Sequence, residues 1–518
     1  MSPLALISVS DKKNIISFSK SLVEKFGYQI ISSGGTAKYL KEANIPVLKV
    51  SDFTNAPEIL EGRVKTLHPK IHGGILAKRS NKKHIDDLKN NNIEPIDLVV
   101  VNLYPFQKKI AENCSWEEGI ENIDIGGPTM IRSAAKNHKD VSVLINCNQY
   151  DEFIDKLSEG KLSSHYKASL ALKAFEHTAT YDAAISNWIC KEKTLDQNYY
   201  LESLPLIKTL RYGENPHQKA KWYGSSKLGW NSAIKLHGKE LSYNNLLDLE
   251  SALATVIEFG YENSDKSLLL PNAAVILKHN NPCGAAIADK LSIAFQKALA
   301  CDTTSAFGGI VAFNKEIDLE TAKLLSNIFI ECVVGPSFSR EALGLLTNKK
   351  NLRLLELSPD CINLKGSSSI KSIRGGILIQ DNDGPNNNNK DEWEIVTDKH
   401  PTEKESEDLY FAWQICKHVK SNAIVIAKNR QTIGIGAGQM NRVGAAKLAL
   451  KAAKNLSKCA VLASDGFFPF ADTIEIAKDY GITSIIQPGG SIRDTESIDM
   501  CNSNGISMIF TKRRHFLH

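Results

Sequence analysis

The first two hundred residues alternate short apolar runs with segments of helical periodicity. Residues 4–9 are six mostly apolar positions, typical of a buried strand. Apolar side chains then recur at three- and four-residue intervals from Ile15 to Phe26, which predicts a helix that Gly27 ends and that Ser10 or Asp11 caps. Further strands are predicted at 28–32, 46–50, 97–103 and 141–145, and further helices from Thr36 and across 149–189. This alternation predicts a parallel sheet covered on both faces.

The apolar pattern breaks twice, and the breaks divide the chain. Residues 191–204 lose helical periodicity, so we place a boundary near residue 200, between a first domain (1–200) and a second region (201–518). A polar stretch near 380–392 holds four consecutive asparagines, Asn386–Asn389. Such a segment cannot pack a core, and we expect a solvated loop between two subdomains.

The two sides of this second break are weakly alike. Residues 274–279 and 423–428 each form an apolar strand with a polar end, and each is followed by a glycine-containing turn and a helix. Further on, residues 307–311 stand roughly where 467–470 stand in the other half. We therefore expect a duplicated α/β unit.

Composition narrows the class of protein. The 518 residues carry 63 basic and 58 acidic side chains, a net charge of +5 that does not indicate a nucleic-acid-binding surface. No run approaches the ~20 apolar residues of a membrane span, and the N-terminus lacks a signal-peptide pattern, so we expect a cytoplasmic protein. The ten cysteines are scattered, which is typical of reduced thiols in a cytosolic enzyme.

Polar residues cluster where the strands of the first domain end. Ser33–Thr36 would open a helix whose free N–H groups attract an anion, although the same residues could form a plain tight turn. Ser8–Lys12 ends the first strand at the same carboxyl edge, where open α/β sheets bind ligands. Arg63–Pro69 contains two cations, a hydroxyl and an imidazole. It could form part of a binding site, or it could be a solvated loop.

A further polar segment precedes a predicted helix. Asp124 stands just before Gly126 and Gly127 and could be either a functional carboxylate or a helix cap. Arg132 and Lys136 are four residues apart on that helix, so both can face one site.

In the second region, Lys278–Gly284 is the densest polar strand end. A lysine and a histidine there, Lys278 and His279, would make a general acid–base pair. Arg211–Gln218 is a second polar cluster, or else a turn at a domain entrance. Gly434–Gly438 resembles a dinucleotide-binding loop, but Gln439 replaces the third glycine and no acidic residue follows at the required distance, so we reject NAD binding.

The sequence lacks the motifs of two other classes of protein, the Walker A nucleotide-binding proteins and the zinc base deaminases. No G-K-[ST] sequence occurs, so there is no Walker A loop. No histidine precedes x-Glu and no cysteines are spaced C-x-x-C, which disfavours a zinc base deaminase.

Together these motifs resemble, over essentially the whole chain, the bifunctional purine biosynthesis family. Its members fuse phosphoribosylaminoimidazolecarboxamide formyltransferase to inosine monophosphate (IMP) cyclohydrolase. The first-domain motifs are Ser8–Lys12, Ser33–Thr36, Arg63–Pro69, Asn102–Phe106, Asp124–Gly127 and Ala135–His138. The motifs of the second region are Arg211–Gln218, Lys278–Gly284, Phe307–Gly309, Ser421–Asn422, Gly434–Gln439, Phe467–Asp472 and Arg514–His518.

The resemblance implies an α/β fold and two consecutive reactions. The N-terminal domain would be methylglyoxal-synthase-like, and 201–518 would hold two zinc-free cytidine-deaminase-like α/β subdomains. A formyl group would pass from 10-formyltetrahydrofolate to the amino group of aminoimidazole carboxamide ribonucleotide, and dehydrative ring closure would give IMP. The resemblance also implies a homodimer, and no metal or redox cofactor.

The resemblance further implies site residues, motif by motif. The catalytic groups would be Lys65, Tyr104, Asp124, Lys136, Lys278, His279 and Asn422. The cyclohydrolase nucleotide contacts would be Ser10, Asp11, Lys12, Ser33, Gly34, Gly35, Thr36, Arg63, Val64, Thr66, Asn102, Ile125 and Gly126. The transferase nucleotide contacts would be Arg211, Tyr212, Gly308, Glu331 and Arg442. The folate contacts would be Val443, Phe467, Asp472, Ser491, Ile492 and Arg514.

The sequence departs from the family pattern in two regions, and two alternative functions are open. Glu331 stands where aspartate can occur in the family, and Gly490–Arg493 lies in a variable loop. A phosphate lyase of the methylglyoxal-synthase type with an unrelated tail is one alternative, and a nucleotide-binding regulator without catalysis is the other. An assay of formyl-dependent purine formation would separate all three.

Overall fold

The computed structural model describes residues 2–224, 228–262, 269–362, 368–384 and 390–518. The chain divides after Ser203 into two compact units, which are described separately below. The predicted asparagine loop, Asn386–Asn389, lies outside the described residues. Within the described ranges, no helix is long and apolar enough to cross a membrane.

The first unit is built on one parallel sheet, as the apolar strands predict. Its strands are β1 (Leu4–Val9), β2 (Gln29–Ser32), β3 (Leu48–Lys49), β4 (Leu98–Asn102) and β5 (Ser142–Leu144). They pair in the order β3-β2-β1-β4-β5, and every pair is parallel. The strand order reverses between β1 and β4, and the carboxyl ends of the strands open a crevice at such a point.

Ten α-helices lie in the described part of this unit, residues 2–203. They are α1 (Ile15–Phe26), α2 (Gly34–Glu42), α3 (Val50–Thr54), α4 (Pro69–Leu76), α5 (Lys82–Asn90), α6 (Phe106–Ala111), α7 (Trp116–Glu121), α8 (Gly126–Lys136), α9 (Tyr150–Ser158) and α10 (Ser164–Lys193). The core of the unit combines the strand side chains with the apolar faces of these helices.

Three local predictions for this unit need comment. Gly27 ends α1 with a φ of 67°, as predicted, but Asn14 precedes the helix, so neither Ser10 nor Asp11 is its cap. Helix α2 begins two residues before the predicted start. The buried strand predicted at 46–50 is wrong, because β3 has only two residues, both exposed, and the buried Val50 already belongs to α3.

The second unit holds two small hairpins and two six-stranded sheets. The hairpins pair β6 (Leu206–Leu210) with β7 (Ala220–Tyr223) and β14 (Ser368–Ile373) with β15 (Gly376–Asp381). The strands of the first sheet are β8 (Ile234–His237), β9 (Asn272–Lys278), β10 (Asn281–Ala288), β11 (Gly309–Phe313), β12 (Ile330–Gly335) and β13 (Arg353–Glu356). The strands of the second are β16 (Glu394–Ile395), β17 (Ile424–Ala427), β18 (Thr432–Gly436), β19 (Ala460–Ser464), β20 (Ile482–Gln487) and β21 (Ser507–Phe510).

The two sheets have the same topology, which confirms the predicted duplication. Their orders are β10-β9-β11-β12-β13-β8 and β18-β17-β19-β20-β21-β16. In the first sheet, β9 pairs antiparallel with β10 and β11, the pairs β11–β12 and β12–β13 are parallel, and the edge strand β8 is antiparallel to β13. In the second sheet, β17 pairs antiparallel with β18 and β19, the pairs β19–β20 and β20–β21 are parallel, and the edge strand β16 is antiparallel to β21. The edge strands β10 and β18 lie side by side, since Ala285 N–H donates to Thr432 Oγ1 over 2.9 Å.

Equivalent helices pack on equivalent strands of the two sheets. The helices of this unit are α11 (Tyr243–Val256), α12 (Leu291–Cys301), α13 (Thr303–Ala306), α14 (Leu319–Ser326), α15 (Arg340–Leu346), α16 (Glu403–Cys416), α17 (Arg442–Ala453), α18 (Asp472–Asp479) and α19 (Asp494–Ser503). Side chains of α11 and α16, among them Leu249 and Trp413, share one core with the inner faces of both sheets.

The glycine turns predicted after β9 and β17 are wrong. Gly284 lies in β10, and Gly434 and Gly436 lie in β18. A Cβ atom at Gly284 would stand 1.9 Å from the carbonyl oxygen of Ala298, and one at Gly436 would stand 2.0 Å from that of Ala445. These glycines therefore let a helix approach an edge strand closely.

The predicted correspondence between residues 307–311 and 467–470 is also wrong. Phe307 comes before β11, whereas Phe467 comes after β19, and those two strands are the equivalent ones.

Candidate functional site

A polar cavity of about 630 Å³ opens at the carboxyl ends of β1 and β4 in the first unit. The first residues of α2 and α8 form part of its wall, so free N–H groups and the positive ends of two helix dipoles face it. Thirteen of the predicted residues line this cavity: Ser10, Lys12, Ser33, Gly35, Thr36, Arg63, Lys65, Thr66, Asn102, Tyr104, Asp124, Ile125 and Gly126. The arrangement suits a small molecule with an anionic group.

Two polar side chains hold the cavity loops in place. Asn102 Oδ1 accepts hydrogen bonds from the N–H groups of Ser10 (2.6 Å) and Asp11 (3.0 Å), and Asn102 Nδ2 donates to the carbonyl of Asp11. Buried Thr36 donates its hydroxyl to the carbonyl of Val9 (2.9 Å) and accepts from the N–H of Val9. The loop that follows β1 is thus fixed to β4 and α2.

Basic groups approach the helix N-termini. A Cβ atom on Gly34 would stand 3.2 Å from Lys65 Nζ, so the ammonium lies close to the start of α2. A Cβ atom on Gly126 would stand 2.5 Å from Thr66 Oγ1, so a glycine is needed where α8 begins. Arg63, in the same segment, forms an ion pair with Glu121 at the cavity wall.

Asp124 binds the start of α8 and also lines the cavity. Its carboxylate accepts from the N–H of Gly127 (2.8 Å), which caps α8, and the same residue lines the cavity. Burial raises the pKa of this carboxyl, while the N–H groups of Gly127 and Tyr104 and the charge of Lys65 oppose the rise. Burial and the charge of Asp124 raise the pKa of Tyr104.

The structure does not bring Lys136 to this cavity. Lys136 is the last residue of α8 and lines another cavity, of about 610 Å³, together with Arg132, His138 and Phe175. Arg132 and Lys136 do share one helix face, as their spacing predicts, but that face lines the second cavity. Among the predicted nucleotide contacts, Asp11, Gly34 and Val64 do not line the first cavity either.

In the second unit, Lys278 and His279 lie where β9 turns into β10. His279 and Asn280 are the two central residues of this hairpin turn, with φ values of 52° and 59°. His279 is exposed. Lys278 Nζ donates to the carbonyls of Phe307 (3.2 Å) and Gly308 (2.8 Å), which ties the turn to the start of β11.

A second polar cluster surrounds Asn422, just before β17. Asn422 Oδ1 accepts from Arg442 Nη2 (2.9 Å), and Asn422 Nδ2 donates to the carbonyl of Gln439 (2.8 Å). Buried Arg442 forms an ion pair with buried Asp465. Asn422 also lines a cavity of about 380 Å³ with Gln439 and residues of the C-terminal tail.

A hydrogen bond links the two clusters. The N–H of Lys420 donates to Asn281 Oδ1 over 3.0 Å. Asn281 is two residues beyond His279, and Lys420 is two residues before Asn422. The hairpin turn of the first sheet therefore lies next to the start of β17 in the second.

The remaining predicted transferase residues lie on neighbouring loops and one strand. Glu331 is in β12, where the pairing with β11 shifts by one residue, and it accepts from Asn245 Nδ2 over 2.9 Å. Arg211 stacks on Tyr212, with 5.5 Å between its guanidinium carbon and the ring centre, beyond the end of β6. The predicted folate contacts lie after β19 (Phe467, Asp472), after β20 (Ser491, Ile492), after β21 (Arg514) and at the start of α17 (Val443).

Sequence reasoning missed residues that the structure places at these clusters. Glu121 pairs with Arg63, Tyr181 Oη accepts from the N–H of Asp124 (2.9 Å), and Asp248 Oδ1 accepts from the N–H of Asn280 (2.7 Å). Glu121 and Tyr181 give no signal in the sequence, because each meets its partner only in the fold. Asp248 does give one, since it interrupts an apolar helix between Leu247 and Leu249.

Comparison with known proteins defines the class. Residues 134–452, more than half of the chain, match the family described as AICARFT/IMPCHase bienzyme, and residues 14–129 match the MGS-like domain. The chain belongs to this bienzyme family.

Curated relatives match over the full length. Proteins from Prochlorococcus marinus strains MIT 9515 and AS9601, each named Bifunctional purine biosynthesis protein PurH, are 66% identical over 518 residues, with all of both chains covered. The protein of the same name from strain NATL1A is 59% identical over 519 residues, again with both chains covered. A solved structure titled "Crystal structure of ForH" is 32% identical, with a TM-score of 0.33 over 36% of this chain and all of its own.

The predicted family and function are confirmed. The chain is a bifunctional enzyme of purine biosynthesis, with a phosphoribosylaminoimidazolecarboxamide formyltransferase activity and an IMP cyclohydrolase activity.

Proposed function

We propose that the first unit closes the purine ring and that the second unit transfers the formyl group. One observation carries this division of labour. The cavity with Lys65 and Asp124 is built only from residues of the first unit, whereas the Lys278–His279 turn and the Asn422 cluster belong to the second. In terms of the sequence, cyclohydrolase chemistry belongs to 1–200 and formyl transfer to 201–518.

In the cyclohydrolase, the two helix N-termini and the loops at Ser10–Lys12 and Ser33–Thr36 hold the nucleotide phosphate. Both reacting groups are on one molecule, so the site mainly has to orient the amide nitrogen toward the formyl carbon. Lys65 polarises the formyl oxygen. Because burial raises the pKa of Asp124, this carboxyl is suited to hold and deliver a proton as water leaves. We leave Lys136 out of this site, because it lines the other cavity.

In the transferase, His279 removes a proton from the amino group of the acceptor as its nitrogen attacks the formyl carbon. The new C–N bond forms while the bond from the formyl carbon to the folate nitrogen breaks, and that nitrogen takes up a proton. Lys278 faces the developing oxyanion, and Asn422, held by Arg442, orients the acceptor. Arg211, Tyr212, Gly308 and Glu331 complete the nucleotide side.

The formyl donor is 10-formyltetrahydrofolate, a co-substrate, and neither step uses a metal or a redox cofactor. We assign its binding to the loops that follow the parallel strands of the second sheet. Exposed apolar side chains on these loops, including Phe467 and Ile492, offer a surface for the flat pterin ring.

We also propose that the enzyme is a cytoplasmic homodimer. Its ten cysteines are all free thiols, which fits a reducing compartment. The proposed transferase residues are spread over two subdomains and their loops, so residues from a second copy can complete the site. Sedimentation of the fully active enzyme as a monomer would contradict the dimer.

The division of labour is tested by Lys65→Ala. Cyclisation of supplied formylated nucleotide should fall by about 10²-fold or more, because the cavity loses its cation beside α2. Initial formyl transfer, followed by tetrahydrofolate release, should continue. The control is Lys70→Ala, a lysine that does not line the cavity. Loss of formyl transfer in a folded Lys65→Ala enzyme would overturn the assignment.

A further inference from the structure

Asp248 is an acidic residue on α11 that contacts the hairpin turn carrying His279. Its Oδ1 atom accepts a hydrogen bond of 2.7 Å from the N–H of Asn280. Three residues further along the same helix, Ser251 Oγ lies 3.4 Å from Asn280 Oδ1. One face of α11 therefore holds the residue that follows His279, through both its backbone and its side chain.

This turn needs such support, because its backbone is unusual. His279 and Asn280 both have left-handed φ values, 52° and 59°. Two consecutive left-handed residues define a two-residue hairpin turn, for which Asn-Gly, Asp-Gly and Gly-Gly pairs are preferred, since residues other than glycine uncommonly adopt a positive φ. The direction of the His279 side chain depends on this backbone, so what holds the turn also places the imidazole.

The other half of the second unit has an equivalent contact between an aspartate and a hairpin turn, but that turn has no histidine. Asn429 and Arg430 form the turn between β17 and β18, with φ values of 55° and 54°. Asp408 holds that turn from α16. Asp248 and Asp408 are each the sixth residue of a 14-residue helix.

The two aspartates use their oxygens differently. Asp408 accepts with both, from the N–H groups of Asn429 (2.8 Å) and Arg430 (2.5 Å). Asp248 accepts with Oδ1 only, and within the described residues its Oδ2 has no hydrogen-bond partner. In the half with His279, one carboxylate oxygen is left free beside the turn.

The surroundings of Asp248 are polar and charged. Burial raises the pKa of its carboxyl, as does the charge of Glu331 on β12, while the N–H of Asn280 and the charges of His279 and Lys278 oppose the rise. The hydrogen bond to the Asn280 N–H places this carboxyl at the turn that carries Lys278 and His279.

We infer that Asp248 is a positioning residue for His279, holding the turn with one oxygen and leaving its negative charge beside the imidazole. This inference rests on the proposed role of His279 as the base in formyl transfer. When His279 takes up a proton, the carboxylate stabilises the imidazolium that forms. Asp248 itself does not touch the substrates.

Two variants separate the hydrogen bond from the charge. Asp248→Asn keeps an oxygen for the Asn280 N–H and removes the charge, so kcat for formyl transfer should fall about tenfold. Asp248→Ala removes both and should lower kcat about 10²-fold, the size of effect expected when a reacting group is displaced. KM for the nucleotide should stay within about threefold in both, and cyclisation of supplied intermediate should be unchanged.

Matched variants distinguish positioning from general stability. Asp408→Asn makes the same change at the equivalent turn; it should lower the melting temperature and leave kcat for formyl transfer unchanged. A purely structural Asp248 would behave in the same way. If Asp248→Asn, folded and assayed below its melting temperature, keeps the kcat of the parent enzyme, the inference is wrong, even if the alanine variant does not fold.

His279→Ala is the reference that separates the two proposals. If this variant loses formyl transfer and the Asp248 variants do not, only the positioning role fails. If His279→Ala itself keeps formyl transfer, the proposed base is wrong, and the role of Asp248 fails with it.

Discussion

The two halves of the second unit share their sheet topology and also individual hydrogen bonds. Lys278 ends β9 and donates to the carbonyl of Phe307, and Lys428 follows β17 and donates to that of Lys458 (2.6 Å). Each acceptor is two residues before the next strand. The residue after each acceptor, Gly308 or Cys459, is left-handed, with φ values of 67° and 57°.

Other positions differ between the halves. The turn residue is His279 in one half and Asn429 in the other. The residue at the pairing shift between the two parallel strands is Glu331 in one half and Thr483 in the other. Features common to both halves belong to the fold, and features found in one half mark the candidate chemistry. By this criterion the carbonyl bonds of Lys278 belong to the fold, whereas His279 and Glu331 are found only in the half with the histidine turn.

The largest predicted effect is a difference in the rate of formyl transfer between variants of the two turns. His279→Ala should lower formyl transfer by about 10²–10⁴-fold, because it removes the proposed base. Asn429→Ala, at the equivalent exposed position, should leave it within about twofold, since no chemistry is assigned there. Initial rates of tetrahydrofolate release measure both, and they avoid any stall from product that is not cyclised.

Cyclisation of supplied formylated nucleotide is the control, because it belongs to the other unit. It should be unchanged in both variants. Equal losses of formyl transfer at His279 and Asn429 would break the distinction between a turn that carries chemistry and a turn that is only structural.

The next largest predicted effect is a loss of folding stability, which should be of similar size in the two halves. Gly284→Ala and Gly436→Ala each place a methyl group about 2 Å from a helix carbonyl oxygen, of Ala298 and Ala445 respectively. The helix must move away from the strand, which should cost about 1–3 kcal/mol or more at each position. Urea unfolding of the single variants measures it, with Gly344→Ala, where nothing lies within 4 Å of the added carbon, as control.

Similar losses at Gly284 and Gly436 would sharpen the comparison, because neither glycine belongs to a proposed site. A loss at one position only would show that the helix–strand packing of the halves is not equivalent.

Periodicity predicted most of the fold but not the edge strands. Buried strands such as β1 and β4 are continuous apolar runs, so their type and place follow from the sequence. β18 was misjudged because two of its residues are glycines, and glycine in a sequence suggests a turn. Its glycines serve close packing by α17, a tertiary requirement that leaves no local pattern. The run at 46–50 is apolar enough for a strand, yet its last residue packs in a helix.

The candidate sites were predictable where the chemistry is local to a loop. Ser33–Thr36, Arg63–Thr66 and Asp124–Gly126 each carry polar groups within one short segment, and the fold brings these segments to one cavity. For Lys136, four-residue spacing shows which residues share a helix face but not which cavity that face meets. Asp248 interrupts an apolar helix, but the sequence does not show that its partner is Asn280, 32 residues away.

The smallest predicted effect concerns the left-handed residue before the third strand of each sheet. The half with the histidine turn has glycine there, Gly308, and the other half has Cys459, an exposed side chain. A left-handed conformation costs a side-chain-bearing residue about 1–2 kcal/mol. Glycine avoids that cost but loses about 0.5–1 kcal/mol through its greater freedom in the unfolded chain. Cys459→Gly should therefore gain at most about 1.5 kcal/mol.

Cys459→Ala is the matched variant, because it removes the sulfur and keeps the Cβ atom. The glycine variant should melt at or slightly above the temperature of the alanine variant, by no more than about 4 °C for a unit of this size. Both activities should be unchanged, since Cys459 is not one of the proposed site residues. A glycine variant that melts clearly below the alanine variant would show that Cys459 adopts its backbone conformation without strain. Backbone strain would then not explain the glycine at 308, where a Cβ atom would stand 3.2 Å from Lys278 Nζ.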